Sequence, residues 1–396
     1  MKNRHQQEGF MHKYFYVVNF FVALLILASC QNAKKPEGDS SWSSEMQHLA
    51  QSFEELIPFV YSENKFQNPI NKPEIQKKIE NFRANIHQIS PEKAKQLYGA
   101  DPLMMKGLEN LKEISSRSLS YFELGKTTYA QNLLKQSAKY CFQCHTRIPA
   151  GPQHMFWNKF SIENYALEPY EKAQIYVAMR QYDKAKTTLA QFVKDSGQQD
   201  NLTLLREQDI KYYLLIAIRG QSQFEEANLF ISQQAKNQNL SKYFKENLQN
   251  WKKDLTYWAK NFASVPHNLQ GAKKALGVKK NSFEINEPQF VKAIVAALMI
   301  HEGLSQETDV AVIAESYYVL GRIYEYFTVG GFWDLSDFYY EICVDTLPHS
   351  EVAMRCVNRL NESLIIKNSG SHGLILPEVE VQRLNDLKKR AKPSKK

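Results

Sequence analysis

Five residues constrain this chain more than any others: Cys141-Phe142-Gln143-Cys144-His145. They close a stretch in which Ala130, Leu133, Leu134, Ala138 and Cys141 recur at helical spacing, which predicts a helix from about Thr128 to Thr146. Pro149, with Gly151-Pro152 behind it, stops that helix. Cys141 and His145 stand at i and i+4, so they share one face, and that face is the apolar one. Whatever the thiols and the imidazole hold is therefore turned toward a helical core.

Three chemistries use a Cys-x-x-Cys pair. A zinc site wants a second spaced pair of soft ligands, and none stands in this chain. A redox dithiol of the thioredoxin kind wants a βαβ context, whereas the flanks here are helical. With His following the second Cys, the spacing is the attachment signature of c-type haem. Two thiols on one helical turn reach the two vinyl groups of a porphyrin as thioethers, and the next residue donates an imidazole nitrogen to the iron. The expectation is one covalent haem c on Cys141 and Cys144, with His145 as proximal iron ligand.

Upstream, three more segments carry helical stripes: 44–61 (Met46, Leu49, Phe53, Leu56), a segment opening at Pro73 (Ile75, Ile79, Phe82, Ile86), and one opening near Pro102 (Leu103, Leu108, Leu111, Ile114). Four helices with the haem motif on the last, over 44–150, resemble the cytochrome c-prime class of four-helix-bundle cytochromes. Relatives of that class commonly have an aromatic-Arg pair after the motif; here Thr146-Arg147-Ile148-Pro149 follows instead. The resemblance implies that a Met near the start of the first helix can reach the iron, and Met46 stands there. An open or apolar-capped sixth position is the alternative, and His48, His154 and Met155 are further candidates.

The N-terminus reads as an export signal. Lys2, Arg4 and Lys13 precede an apolar run from Tyr16 to Ala28, too short to cross a bilayer comfortably. Leu27-Ala28-Ser29-Cys30 resembles the bacterial lipoprotein box, which implies removal of 1–29 and lipidation of Cys30; an initiation at Met11 gives a more ordinary signal length. Gln31 rather than Asp resembles outer-membrane lipoproteins more than retained inner-membrane ones. Residues 30–43 read as a flexible tether holding the rest in the periplasm. The formal charge of +8 is gathered at the two ends, in this leader and in a basic tail within 367–396 expected to be disordered. The middle is near neutral, so no nucleic-acid partner is expected.

After a linker at 151–164, residues 165–366 carry a repeat. Ala173, Tyr176, Tyr182-Asp183-Lys184-Ala185 and Leu189 resemble the small and aromatic positions of a tetratricopeptide unit. Leu214-Leu215, Phe224-Glu225-Glu226-Ala227 and Ile231 repeat the pattern 42 residues on; Tyr317, Leu320-Gly321, Tyr324, Tyr340, Cys343 and Pro348 give a clearer copy. Helices are also expected at 243–262, at 290–300 and at 351–366, with a loop or small insertion from Gly271 to Asn286. Cys343 and Cys356 flank Pro348 and are either a disulfide across a helix–turn–helix or two buried thiols.

The fold expected is all-α, a four-helix haem bundle followed by an irregular tetratricopeptide-like α-solenoid. The expected function is single-electron transfer by a membrane-tethered mono-haem cytochrome whose repeats dock a redox partner protein. The alternatives are a five-coordinate, gas-binding haem module and an assembly scaffold with a structural haem. No catalytic triad, phosphate loop or paired-carboxylate signature stands out, and no distal His/Arg pair speaks for a peroxidase, so an electron carrier is expected rather than an enzyme.

Overall fold

A computed structural model describes residues 40–93, 102–145, 167–195, 203–238, 240–277, 285–327, 333–370 and 378–393, with Ile162, Tyr165, 373–374 and Leu376. The chain divides into two compact units, 1–47 and 48–396. In the first, the described part is the opening of helix α1 (Ser40–Val60), so residues 40–43 are helical rather than tether. The leader 1–29, Cys30 and the rest of the tether lie outside the described residues, as do His154 and Met155.

Four amphipathic helices carry the first stripes: α1, α2 (Lys72–Gln88), α3 (Pro102–Glu123) and α4 (Thr127–His145). Of their expected apolar positions, Phe53, Leu56, Ile75, Ile79, Phe82, Ile86, Leu111, Ile114, Leu134 and Ala138 are buried, while Met46, Leu49, Leu108 and Leu133 are half-buried. Side-chain contacts fix the directions. Asn85 Nδ2 donates to the His48 carbonyl, and the rings of Phe53 and Phe82 lie 5.7 Å apart, so α1 and α2 run antiparallel. Lys112 Nζ donates to the Ile89 carbonyl and Arg83 Nε to Ser116 Oγ, which sets α3 antiparallel to α2. The short connection 124–126 then reverses the chain into α4. Gln131 Nε2 donates to the Val60 carbonyl at 2.8 Å, tying α4 to the end of α1.

The helices that follow are α5 (Pro169–Ala178), α6 (Tyr182–Asp195), α7 (Thr203–Leu215), α8 (Phe224–Gln234), α9 (Lys242–Asn261), α10 (Leu269–Leu276), α11 (Phe290–Leu304), α12 (Val310–Tyr326), α13 (Trp333–Thr346), α14 (Glu351–Asn368) and α15 (Glu378–Ala391). α7 runs on into a π turn, Ile216–Gly220. Each packs chiefly on its chain neighbours: α5 on α4 and α6, α8 on α9, α12 on α13, α13 on α14. The small and aromatic repeat positions are buried, including Ala173, Tyr176, Ala185, Ala227, Tyr324 and Tyr340. Gly321 shows why smallness matters: a Cβ there would stand 2.4 Å from the Tyr340 ring. The fold class is all-α; among the described residues the extended pairing is a two-residue ribbon, Ser369↔Leu374 and Gly370↔Gly373. No described helix is long and apolar enough to cross a membrane.

Two further expectations are corrected. The stretch from Gly271 is not loop at its start but lies in α10, where Asn268 caps the helix by accepting from Gly271 N at 3.0 Å. Only glycine fits there, since a Cβ would fall 1.8 Å from the Pro266 carbonyl oxygen. The basic tail is not disordered through 367–396: α14 runs to Asn368 and α15 is helical, with Leu384, Leu387 and Ala391 buried. Arg383 and Arg390 pair with Glu341 and Asp345 on α13, so part of the basic excess is neutralised within the fold. α4 packs on α5 within the unit 48–396, and Ile162 is buried.

Candidate haem site at the end of α4

α4 ends on the Cys-x-x-Cys-His motif. Ser137, Cys141 and His145 succeed one another at four-residue steps, on the face that also buries Leu134 and Ala138. Cys141 is a free, half-buried thiol. Burial pushes its pKa up to about 12. A catalytic Cys-x-x-Cys dithiol does the opposite and lowers the pKa of one thiol. The Cys144 side chain lies outside the described residues.

His145 is held by the hairpin that follows. Its carbonyl accepts from Tyr182 Oη at 2.8 Å. Burial is the first cause that depresses its imidazole pKa to about 3, and the Arg180 charge adds to it, against the pull of the Ala178 and Val177 carbonyls. The ring is thus neutral, the form that ligates a metal. Nδ1 is out of solvent and has no hydrogen-bond partner among the described residues. Two more polar atoms nearby share that condition: Ser137 Oγ, one turn before Cys141, and the phenol oxygen of Tyr61. Tyr61 lies close enough for the Cys141 charge to raise its pKa, after burial and Glu171. Buried polar atoms are normally satisfied, and a cluster that is not points to an absent group.

The described part of this arrangement fits a covalent haem: a thiol and a neutral imidazole on one apolar helix face, with unmatched polar atoms beside them. Among the described residues no group of three or more His, Cys, Asp or Glu side chains could hold a bare metal ion. A haem site does not ask for one, because the porphyrin supplies the other donors. Of the sixth-position candidates, Met46 is a half-buried residue of α1 in the unit 1–47, and His48 is exposed.

In the C-terminal half, Cys343 and Cys356 are joined by a disulfide, their Cα atoms 6.4 Å apart. Several pairings there escape a reading of the sequence. Lys186 is buried and donates to Gln223 and Glu226, while Tyr213 Oη donates to the same Glu226 at 2.9 Å. Lys186, Tyr213 and Glu226 line a groove of about 880 Å³ between α6 and α8, together with Gln191, Lys194, Gln233 and Asn237. Deeper, Arg219 on the π turn donates to Tyr324 Oη at 2.6 Å, and His301 Nε2 lies 2.7 Å from the same oxygen. The one signal for Lys186 was its place three residues after Asp183 and within a repeat. No family model, curated protein or solved structure matches this chain.

Proposed function

We propose that this chain is an exported, membrane-tethered mono-haem c-type cytochrome that passes single electrons, with its helical repeats docking a partner protein. The observation that carries the reading is the Cys-x-x-Cys-His motif ending a helix whose buried face holds Cys141 and His145 together. Cys141 and Cys144 would form the two thioethers and His145 would take the iron. Bound haem supplies a reversible one-electron couple.

The chain's own residues do the rest. Burial keeps the His145 ring neutral, so its lone pair is free for the iron. Leu134 and Ala138 line the same face and keep water from it. Met46 is the proposed distal ligand and Cys30 the proposed lipid attachment. The groove between α6 and α8 supports the docking role by its size and its mixed polar walls.

The test is an optical and spin-resonance spectrum of the full haem-loaded chain, repeated on Met46→Ala. A low-spin ferric haem that turns high-spin in the variant supports Met46 ligation and electron transfer. A high-spin parent that takes up carbon monoxide readily overturns it in favour of gas binding.

A further inference from the structure

α9 turns one face to the core and the other to water. Its inner stripe buries Phe244, Leu248, Trp251, Leu255 and Trp258. Over 249–261 the exposed side carries Lys252, Lys253 and Lys260 and no exposed carboxylate. The one acid of that stretch, Asp254, is half-buried and goes to Lys292 of α11 at 3.6 Å. The nearest exposed acid on the helix, Glu246, lies six residues before Lys252. None of the three lysines makes an ion pair among the described residues, whereas Arg355, Arg359, Arg383 and Arg390 on α14 and α15 all do. Protein surfaces ordinarily intersperse both signs. The near-neutral middle of the chain conceals this local excess.

The same stretch is hollowed. Lys252, Lys253 and Lys260, with Gln249, Thr256 and Tyr257, line a shallow depression of about 690 Å³, and every residue lining it belongs to α9. Thr256 is held by Asn228 Nδ2 at 3.1 Å. Tyr257 is 48% exposed and lies edge-on to Trp258, ring centroids 4.9 Å apart, so a large amphipathic ring stands among the cations.

We propose that the outer face of α9 is a contact for an anionic lipid surface, with Lys252, Lys253 and Lys260 on the headgroup phosphates and Tyr257 at headgroup level. Clusters of lysine on an amphipathic helix hold anionic leaflets, and tyrosine favours the membrane–water interface. Two features favour lipid over an acidic protein. Protein interfaces are depleted in lysine, whose long side chain loses much entropy when ordered, while a fluid layer of headgroups leaves it mobile. The depression also lies on a single helix, with no second wall to grip a folded partner. The tether of the proposed function would bring the chain to such a surface, but the contact itself involves neither the haem nor Cys30.

The test is lysine acetylation of the full chain, read residue by residue by mass spectrometry. It is run on vesicles of phosphatidylcholine and on vesicles of phosphatidylcholine mixed with phosphatidylglycerol. Lys77, exposed on α2, is the internal reference. On the anionic vesicles, modification of Lys252, Lys253 and Lys260 is expected to slow about three- to tenfold relative to Lys77, and raised salt is expected to abolish the slowing. The variant K252Q/K253Q is expected to lose the protection of Lys260, and K252R/K253R to keep it. Both exchange exposed residues for helix formers, and circular dichroism melts check that the fold is kept. Equal rates on the two kinds of vesicle, or protection of Lys260 that survives in K252Q/K253Q, overturn the inference. So does equal protection by inorganic phosphate at matched phosphate content, which marks a free-anion site. Protection by soluble polyglutamate but not by vesicles overturns it in favour of an acidic protein. Covalent haem is measured separately on the same sample, so the haem reading and this one fail independently.

Discussion

The end of α4 and the α12–α14 region differ in how their charges and cysteines are arranged. Around α12–α14, charges are matched within the chain. Glu325 takes Arg359, Arg322 and the Tyr340 hydroxyl, Glu315 takes Lys273 and Arg355, and Asp337 takes Ser363 and Lys367. The cysteines there are closed on each other. At the end of α4 the thiol of Cys141 is free, and Ser137 Oγ, Tyr61 Oη and His145 Nδ1 lack partners among the described residues. A buried polar group left unmatched costs about 1–3 kcal/mol.

The comparison can be broken at its strongest point first. Reducing or removing the Cys343–Cys356 link, which spans 13 residues, is expected to lower stability by about 3 kcal/mol in denaturant unfolding. A loss no larger than that of an ordinary surface substitution would mean that the bridge adds nothing. Gly321→Ala drives a methyl into the Tyr340 ring and is expected to cost about 1–3 kcal/mol, read as a lower melting temperature.

A pH titration sharpens the other side. Asp209, buried on α7, has its carboxyl pushed up to about 7 by burial alone. Its folded pKa lies above the unfolded value of about 3.9, so the folded chain binds the proton more tightly. Stability should therefore fall as pH rises from about 4 to about 7 and level off above, with a slope of at most about 1.4 kcal/mol per pH unit. Asp209→Asn should flatten that slope in urea unfolding followed across the same range. The smallest effect belongs to Ser137→Ala in haem-free protein. Removing an unmatched buried hydroxyl should be neutral or stabilising by up to about 1 kcal/mol, whereas Glu325→Gln, which strips a matched carboxylate, should destabilise.

Much of the helical order was legible because periodicity and stop signals are local. α3 opens at Pro102 as the sequence suggests, and α4 runs Thr127–His145 against an expected 128–146. The apolar run from Phe290 to Ile300 became a helix buried on nearly all sides, and Trp251, Leu255 and Trp258 face inward from α9 as their spacing required. α15 was hidden because its buried stripe is Leu384, Leu387 and Ala391 among seven cations of the last fourteen residues, and its acidic partners lie on α13. α10 was hidden by Gly271, read as a loop residue but kept by its closeness to Pro266. In the site, Cys141, Cys144 and His145 were visible by spacing alone. Tyr182 was not, since its hydroxyl reaches the His145 carbonyl from 37 residues further along the chain.

The most direct measurement is acid–acetone extraction followed by intact mass and a pyridine haemochrome spectrum, on chain produced alongside c-type haem maturation enzymes. The account predicts a single haem that survives extraction, bound to the peptide carrying Cys141 and Cys144 and lost in the Cys141→Ser/Cys144→Ser double variant. Haem that extracts completely, or a chain that matures without any, would contradict it.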